Sequence, residues 1–266
     1  MSARREAMLG EMGLGPLWKL RRSASEPHAE AETVPRPDTE DSAPQVPAPA
    51  EILSTTEPVA PQPVSPTGAD DRVARIAAMD WPELQQTVAD CRACRLCERR
   101  KQAVLGVGDR QADWLFVGEG PGADEDERGE PFVGQAGKLL DNMLAAIGLQ
   151  RGKDVYIANT VKCRPPGNRT PEADEMAACL PFLARQIDLL NPRLIVALGR
   201  PAAQTLTGSE VKIAAVRGRL FEHRSIPLLI TYHPAYLLRN LPDKAKAWED
   251  LCFARASMAN IRGEDG

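Results

Sequence analysis

Trp114-Leu115-Phe116-Val117-Gly118-Glu119-Gly120-Pro121-Gly122 joins an uninterrupted apolar run to a glycine-rich, acidic turn. A short run without polar alternation reads as a strand buried on both faces. The same pattern repeats outward from it. Gly137 to Ile147 places apolar residues at helical spacing, Val155 to Val161 is a second strand, and Pro171 to Leu190 is a long amphipathic helix with carboxylates in its first turn. Arg193 to Leu198 is a third strand ending at Gly199, Pro201 to Leu206 is helical, Ile226 to Tyr232 is another strand, and Asp243 to Ile261 is a closing helix. On the N-terminal side, Asp80-Trp81-Pro82-Glu83 combines an N-cap with proline in the first turn and leads a helix toward Cys91. Strands alternating with helices predict an α/β fold with a parallel sheet covered on both faces. Its functional loops should follow the carboxyl ends of the strands.

The 266 residues, 43% of them hydrophobic, can hold one sizeable core with a tail. Residues 23–72 contain ten of the 23 prolines and are poor in aromatics. Such a segment cannot bury enough apolar surface to offset chain entropy, so it reads as a disordered, acidic, Pro-rich linker. Residues 1–22 carry five basic and two acidic side chains and residues 23–72 two basic and ten acidic, which leaves residues 73–266 at +1 within a chain of net −4. The acidic balance of the whole chain therefore does not exclude a polyanionic partner for the globular part. Residues 7–22 set Met8, Leu9, Met12, Leu17, Trp18 and Leu20 beside a basic end. They read either as a docking peptide for a protein partner or as an unstructured start with incidental apolar residues. No stretch reaches the roughly 18 apolar residues of a membrane span, and the N-terminus lacks the apolar core of a secretion signal. The expected compartment is cytoplasmic, with no membrane partner.

Cys91 and Cys94 form a C-x2-C pair, 68 residues separate Cys94 from Cys163, and 15 separate Cys163 from Cys179. In a chain without an export signal such a set suggests a metal centre rather than disulfides. Cys97 makes a second C-x2-C with Cys94, and Cys252 is left over. Zinc and iron-sulfur clusters use similar spacings, so the spacing leaves both open.

The loops with unusual chemistry all fall at strand ends. Gly118 to Asp126 follows the first strand, Asn159 closes the second, and His233-Pro234 follows the late one. This clustering predicts a single site. A dinucleotide-binding phosphate loop is a competing reading of the glycines, but Pro121 and the carboxylates Glu119, Asp124, Glu125 and Asp126 would repel a pyrophosphate.

Gly-Glu-Gly-Pro-Gly at 118–122, Pro131-Phe132-Val133-Gly134-Gln135-Ala136-Gly137, Asn159-Thr160-Val161-Lys162-Cys163-Arg164-Pro165-Pro166 and His233-Pro234-Ala235-Tyr236-Leu237-Leu238-Arg239 resemble, in order, the motifs of the family 4 uracil-DNA glycosylases. The resemblance runs from about Cys91 to Cys252. It implies a three-layer α/β/α sandwich around a short parallel sheet, here with a disordered N-terminal extension and a glycosylase domain at 73–266. It also implies a monomer that removes uracil from DNA and carries a [4Fe-4S] cluster on Cys91, Cys94, Cys163 and Cys179, with zinc as the alternative.

The resemblance further assigns roles. A glycosylase takes the base out of the stack, holds it in a fitted pocket and stabilises a cationic sugar while an anionic base departs. Glu119 would orient water and oppose the sugar's charge, unless it merely caps the following turn, and His233 would donate to the uracil anion. Phe132 would stack on the base or serve as a plain core aromatic, with Gly120 beside it in the substrate site. Asn159 would read the uracil amide edge with its paired donor and acceptor. Either Glu125 or Asp126 would occupy the space of a thymine methyl, and Asn168 would line the site or shape a turn. Leu237 and Leu238, expected in a short loop, would wedge the gap left by the base or else pack inward, and Arg239, with Arg164 and Lys162 behind it, would grip phosphate. A non-catalytic or covalently capturing uracil-DNA binder of the same fold is the alternative. Relatives that capture DNA carry a basic insert with a reactive histidine where this chain has Arg164-Pro165-Pro166-Gly167-Asn168. A phosphate-holding nucleotide enzyme outside repair is the third class.

Overall fold

The computed structural model describes residues 67–263. The docking segment expected at 7–22 and the linker up to residue 66 lie outside the described residues. Six strands form one sheet in the order β1-β3-β2-β4-β6-β5. They are β1 (Val107–Gly108), β2 (Trp114–Gly118), β3 (Val155–Asn159), β4 (Leu194–Leu198), β5 (Leu220–His223) and β6 (Ile226–Thr231). The four apolar runs pair in parallel, β3 with β2, β2 with β4, and β4 with β6. The edges differ from the expected all-parallel sheet. β1 and β5 are short and pair antiparallel with β3 and β6.

Both faces of the sheet are covered, so successive strand residues enter different cores. Trp114, Phe116, Ile157, Val196 and Leu229 meet α4 (Gln135–Ala146) and α9 (Lys244–Arg262) through Leu140, Leu144, Leu251 and Ala254. Leu115, Val117, Ala158, Ile195 and Ile230 meet α5 (Ala173–Leu190) and α6 (Arg200–Thr207) through Leu183, Ile187, Ala203 and Leu206. Burial on both sides explains why these strands lack polar alternation. The three-layer α/β/α sandwich is what the structure shows.

A third cluster sits outside α5. There α1 (Thr67–Ala78) and α2 (Trp81–Asp90) bury Ile76, Leu84 and Val88 against Phe182, next to Cys163 and Cys179. In α2 the Asp80 carboxylate accepts the Glu83 backbone N–H at 2.9 Å and the Glu83 carboxylate accepts that of Asp80 at 3.1 Å. This reciprocal cap is the predicted helix start. Helix α1 corrects the boundary at 72, because it begins at Thr67, inside the segment assigned to the linker. The packing of Ile76 and the Arg72 guanidinium over the Phe182 ring, 5.0 Å from its centroid, supplies what composition alone did not show. Among the described residues no helix is long and apolar enough to cross a membrane.

Candidate active site

The chain passes from β2 to β3 on one side and then crosses to β4 on the other, which opens a crevice at the carboxyl ends of the strands. Gly118 at the end of β2 is in register with Asn159 at the end of β3. Gly199 follows β4, and His233 follows β6 as the N-cap of α8 (Pro234–Arg239). Together they frame a cleft of about 1020 Å³ whose lining includes Glu119, Gly120, Glu125, Phe132, Asn159, Asn168, His233 and Arg239. Eight of the expected site residues thus meet in one place.

Burial pushes the Glu119 carboxyl above its usual range, against the opposing pull of a Thr170 hydrogen bond and the Arg200 charge. Its backbone carbonyl is held by the Val161 N–H at 3.2 Å and by the Thr160 hydroxyl. His233 is shifted the other way. Burial, with Arg239 nearby, lowers its pKa to about 4, so the ring is neutral at physiological pH. Its Nδ1 accepts the Ala235 backbone N–H at 3.1 Å. An accepting Nδ1 places the proton of the neutral ring on Nε2, which makes His233 a hydrogen-bond donor without a charge.

Phe132 forms a wall of the cleft, its ring tilted 30° to that of His233 at a centroid separation of 5.5 Å. It sits at φ 56°, a conformation that few bulky residues adopt. The surroundings hold it there. Arg151 donates to the carbonyls of Pro131 and Phe132 at 2.9 and 2.8 Å. A Cβ on Gly137 would lie 1.7 Å from the Phe132 carbonyl oxygen, and one on Gly118 would lie 2.6 Å from the ring. Both glycines are therefore required by close approach.

Asn159 is 2% exposed, and its Oδ1 is buried with no hydrogen-bond partner among the described residues. Leaving such an atom unpaired costs about 1–3 kcal/mol, so it is poised for a ligand. Glu125 and Asp126, in α3 (Ala123–Arg128), separate cleanly. Glu125 lines the cleft while its carboxylate accepts the N–H groups of Gly122, Val133 and Gly134 at 3.0, 3.0 and 3.1 Å. Asp126 is 3% exposed, is not part of the lining and caps the Lys101 N–H at 2.9 Å, so its place in the substrate site is corrected. Asn168 lines the cleft and also shapes its turn, at φ 55° with Oδ1 accepting from Arg164 Nε at 2.7 Å.

The family model described as the uracil DNA glycosylase superfamily matches residues 105–252. A type-4 uracil-DNA glycosylase of Pyrobaculum aerophilum is 45% identical over 183 residues, which cover 66% of this chain and 93% of that protein. One of Thermotoga maritima is 48% identical over 159 residues, covering 59% and 82%. The chain belongs to the type-4 uracil-DNA glycosylases. A type-5 uracil-DNA glycosylase of Thermus thermophilus is more distant, at 34% identity over 194 residues covering 58% and 87%.

Two expectations for the DNA side of this glycosylase change. Leu237 and Leu238 lie in α8 rather than in a loop. Leu237 is 1% exposed in the core, so the wedge assignment fails for it, while Leu238 is exposed. Lys162 is buried and cannot reach a phosphate. Thr170 and Arg200, which act on Glu119, were not singled out from sequence. Arg200 directly follows Gly199 at a strand end and was open to the same positional reasoning, whereas nothing local marks Thr170.

The cysteines lie away from the cleft. Cys91, Cys94, Cys97, Cys163 and Cys179 line one small cavity with Val88 and Phe182, and Cys252 is elsewhere, on α9. None of the six forms a disulfide. Arg100 donates to Cys163 Sγ at 2.9 Å, and the Lys162 backbone N–H donates to Cys179 Sγ at 3.2 Å. Burial pushes the Cys179 thiol up to about 12. Donors aimed at sulfur and cationic groups around a buried thiol set fit thiolates bound to a metal cofactor. Among the described residues no three His, Cys, Asp or Glu side chains are arranged to hold a single metal ion.

Proposed function

We propose that this enzyme hydrolyses the N-glycosidic bond of deoxyuridine in DNA, the first step of excision repair, with the cleft at the strand ends as its active site. The observation that carries the reading is Asn159. A buried carboxamide oxygen without a partner, in a cleft walled by Phe132, suits the amide edge of a flipped uracil.

In this reading Phe132 stacks on the base and Glu125, tied to three backbone donors, fixes the loop beside the C5 position and leaves no room for a methyl group. Neutral His233 donates from Nε2 to the uracil oxygen that gains negative charge as the bond lengthens. A neutral donor keeps its proton available without attracting the phosphates into the pocket. Glu119, ionised, opposes the positive charge that develops on the sugar and orients the attacking water. Arg239 grips phosphate at the rim and Leu238 fills the gap in the stack. Cys91, Cys94, Cys163 and Cys179 would hold a [4Fe-4S] cluster. When bound, it supplies a cross-link between α2, the segment after β3, and α5. The glycosylase unit on this reading begins at the first described helix rather than at residue 73.

The test is release of free uracil from an oligonucleotide with one deoxyuridine. Stoichiometric free base is expected; a lasting protein–DNA adduct would favour capture, and the absence of both would leave the catalytic reading without support. The pH profile adds a second check. Glu119 acts as the anion and its carboxyl is raised by burial, so activity should fall on acidification at a pH above the usual carboxylate range. His233 stays neutral down to about pH 4 and should leave no limb between pH 5 and 8. An acid limb that persists unchanged in Glu119→Gln would contradict this assignment.

A further inference from the structure

Lys162 stands between the base-reading residue and the cysteine cavity. It is 1% exposed and lines the cavity beside Cys163, Cys179 and Phe182. Burying an ammonium costs several kcal/mol of hydration, so an apolar side chain would fill this space at lower cost. Its charge is directed at one place on the active-site side, where Nζ donates to the Asn159 backbone carbonyl at 2.7 Å.

The segment from Asn159 to Cys163 is anchored at nearly every residue. Thr160 N–H donates to the Gly118 carbonyl at 3.0 Å, Val161 N–H to that of Glu119 at 3.2 Å, and Lys162 N–H to Cys179 Sγ at 3.2 Å. The Asn159 Oδ1 has no hydrogen-bond partner of its own among the described residues. Its aim therefore depends on the backbone that carries it, and Lys162 holds that backbone from the side of the cysteines.

We propose that Lys162 is a positioning residue for Asn159, fixing the peptide that aims the carboxamide at the base and tying uracil reading to the cysteine centre. This role presupposes that Asn159 reads uracil, as proposed above. The experiment is a double-mutant cycle on kcat/KM for uracil release, using wild type, K162M, N159A and the double variant, with iron content and melting temperature measured for each. K162M is expected to lose about tenfold in kcat/KM at unchanged iron content, and the loss should vanish in the N159A background, since contacting residues that act through one another are non-additive. Additive losses, or a K162M enzyme as fast as wild type, would overturn the positioning role while wild-type uracil release leaves the glycosylase reading intact. A wild type that releases no uracil overturns the glycosylase reading first and the role with it. If K162M does not fold, K162L, a more compact apolar filler, takes its place in the cycle. Failure of both to fold would make Lys162 a purely structural residue and overturn the proposal.

Discussion

Glu119→Gln is expected to lower single-turnover uracil release by about a thousandfold, which corresponds to about 4 kcal/mol of transition-state stabilisation. The amide has the shape of the carboxylate and lacks its charge, so the loss isolates the electrostatic and water-orienting role. DNA binding should change little. Stability moves in the opposite direction from activity. Burial raises the folded-state pKa of this carboxyl, so above that value the ionised group disfavours the folded state, and the disadvantage shrinks as pH falls through it. A neutral amide removes it, and the melting temperature at pH 8 should be equal or higher. Wild-type rates in a folded Glu119→Gln enzyme would remove Glu119 from the chemistry.

Cys179→Ser should bleach the purified protein and lower its melting temperature by about 8–16 °C, the shift expected for a loss of about 4 kcal/mol in a domain of this size. Cys179 is buried on α5 and accepts the Lys162 N–H, so its sulfur joins that helix to the segment after β3. Loss of one ligand releases the cofactor and the segments it connects. Cys252→Ser, away from the cavity, should keep the colour. Stoichiometric zinc in a colourless wild type would overturn the cofactor and keep the ligands, whereas bleaching by Cys97→Ser alone would overturn the ligand set, because Cys97 shares the cavity.

The parallel core was legible because burial on both faces writes itself as uninterrupted apolar runs, and the capped start of α2 because its signal is local. The β5–β6 hairpin was not. Its turn places Arg224 and Ser225 at φ 50° and 66°, where asparagine and glycine are the usual markers. The residues at strand ends that line the cleft were legible by position. Asp126 and Leu237 were misplaced because adjacent residues on a short helix point in different directions, and nothing in Glu125-Asp126 or Leu237-Leu238 tells which one turns inward. Of the three backbone donors that Glu125 holds, Gly122 is a local cap three residues away, whereas Val133 and Gly134 lie eight and nine positions on and have no local signature. Lys162 was read as a cation for phosphate because charge suggests surface, and only the packing of α1 and α2 over α5 shows that it is enclosed.

The clamp on Phe132 also bears on how the pocket can evolve. Arg151 holds its carbonyl from outside, Gly137 admits that carbonyl at a distance no other residue allows, and Gly118 leaves space for the ring. Trimming a neighbouring side chain would leave the backbone of this aromatic where it is, because Arg151 and the close approach of Gly137 hold its carbonyl. A variant that accepts a bulkier base must therefore begin with a change at 132 itself or with a rebuilt 131–137 loop. Substitution at either glycine should yield damaged enzyme rather than broadened specificity, so the route from this pocket to a new substrate is narrow.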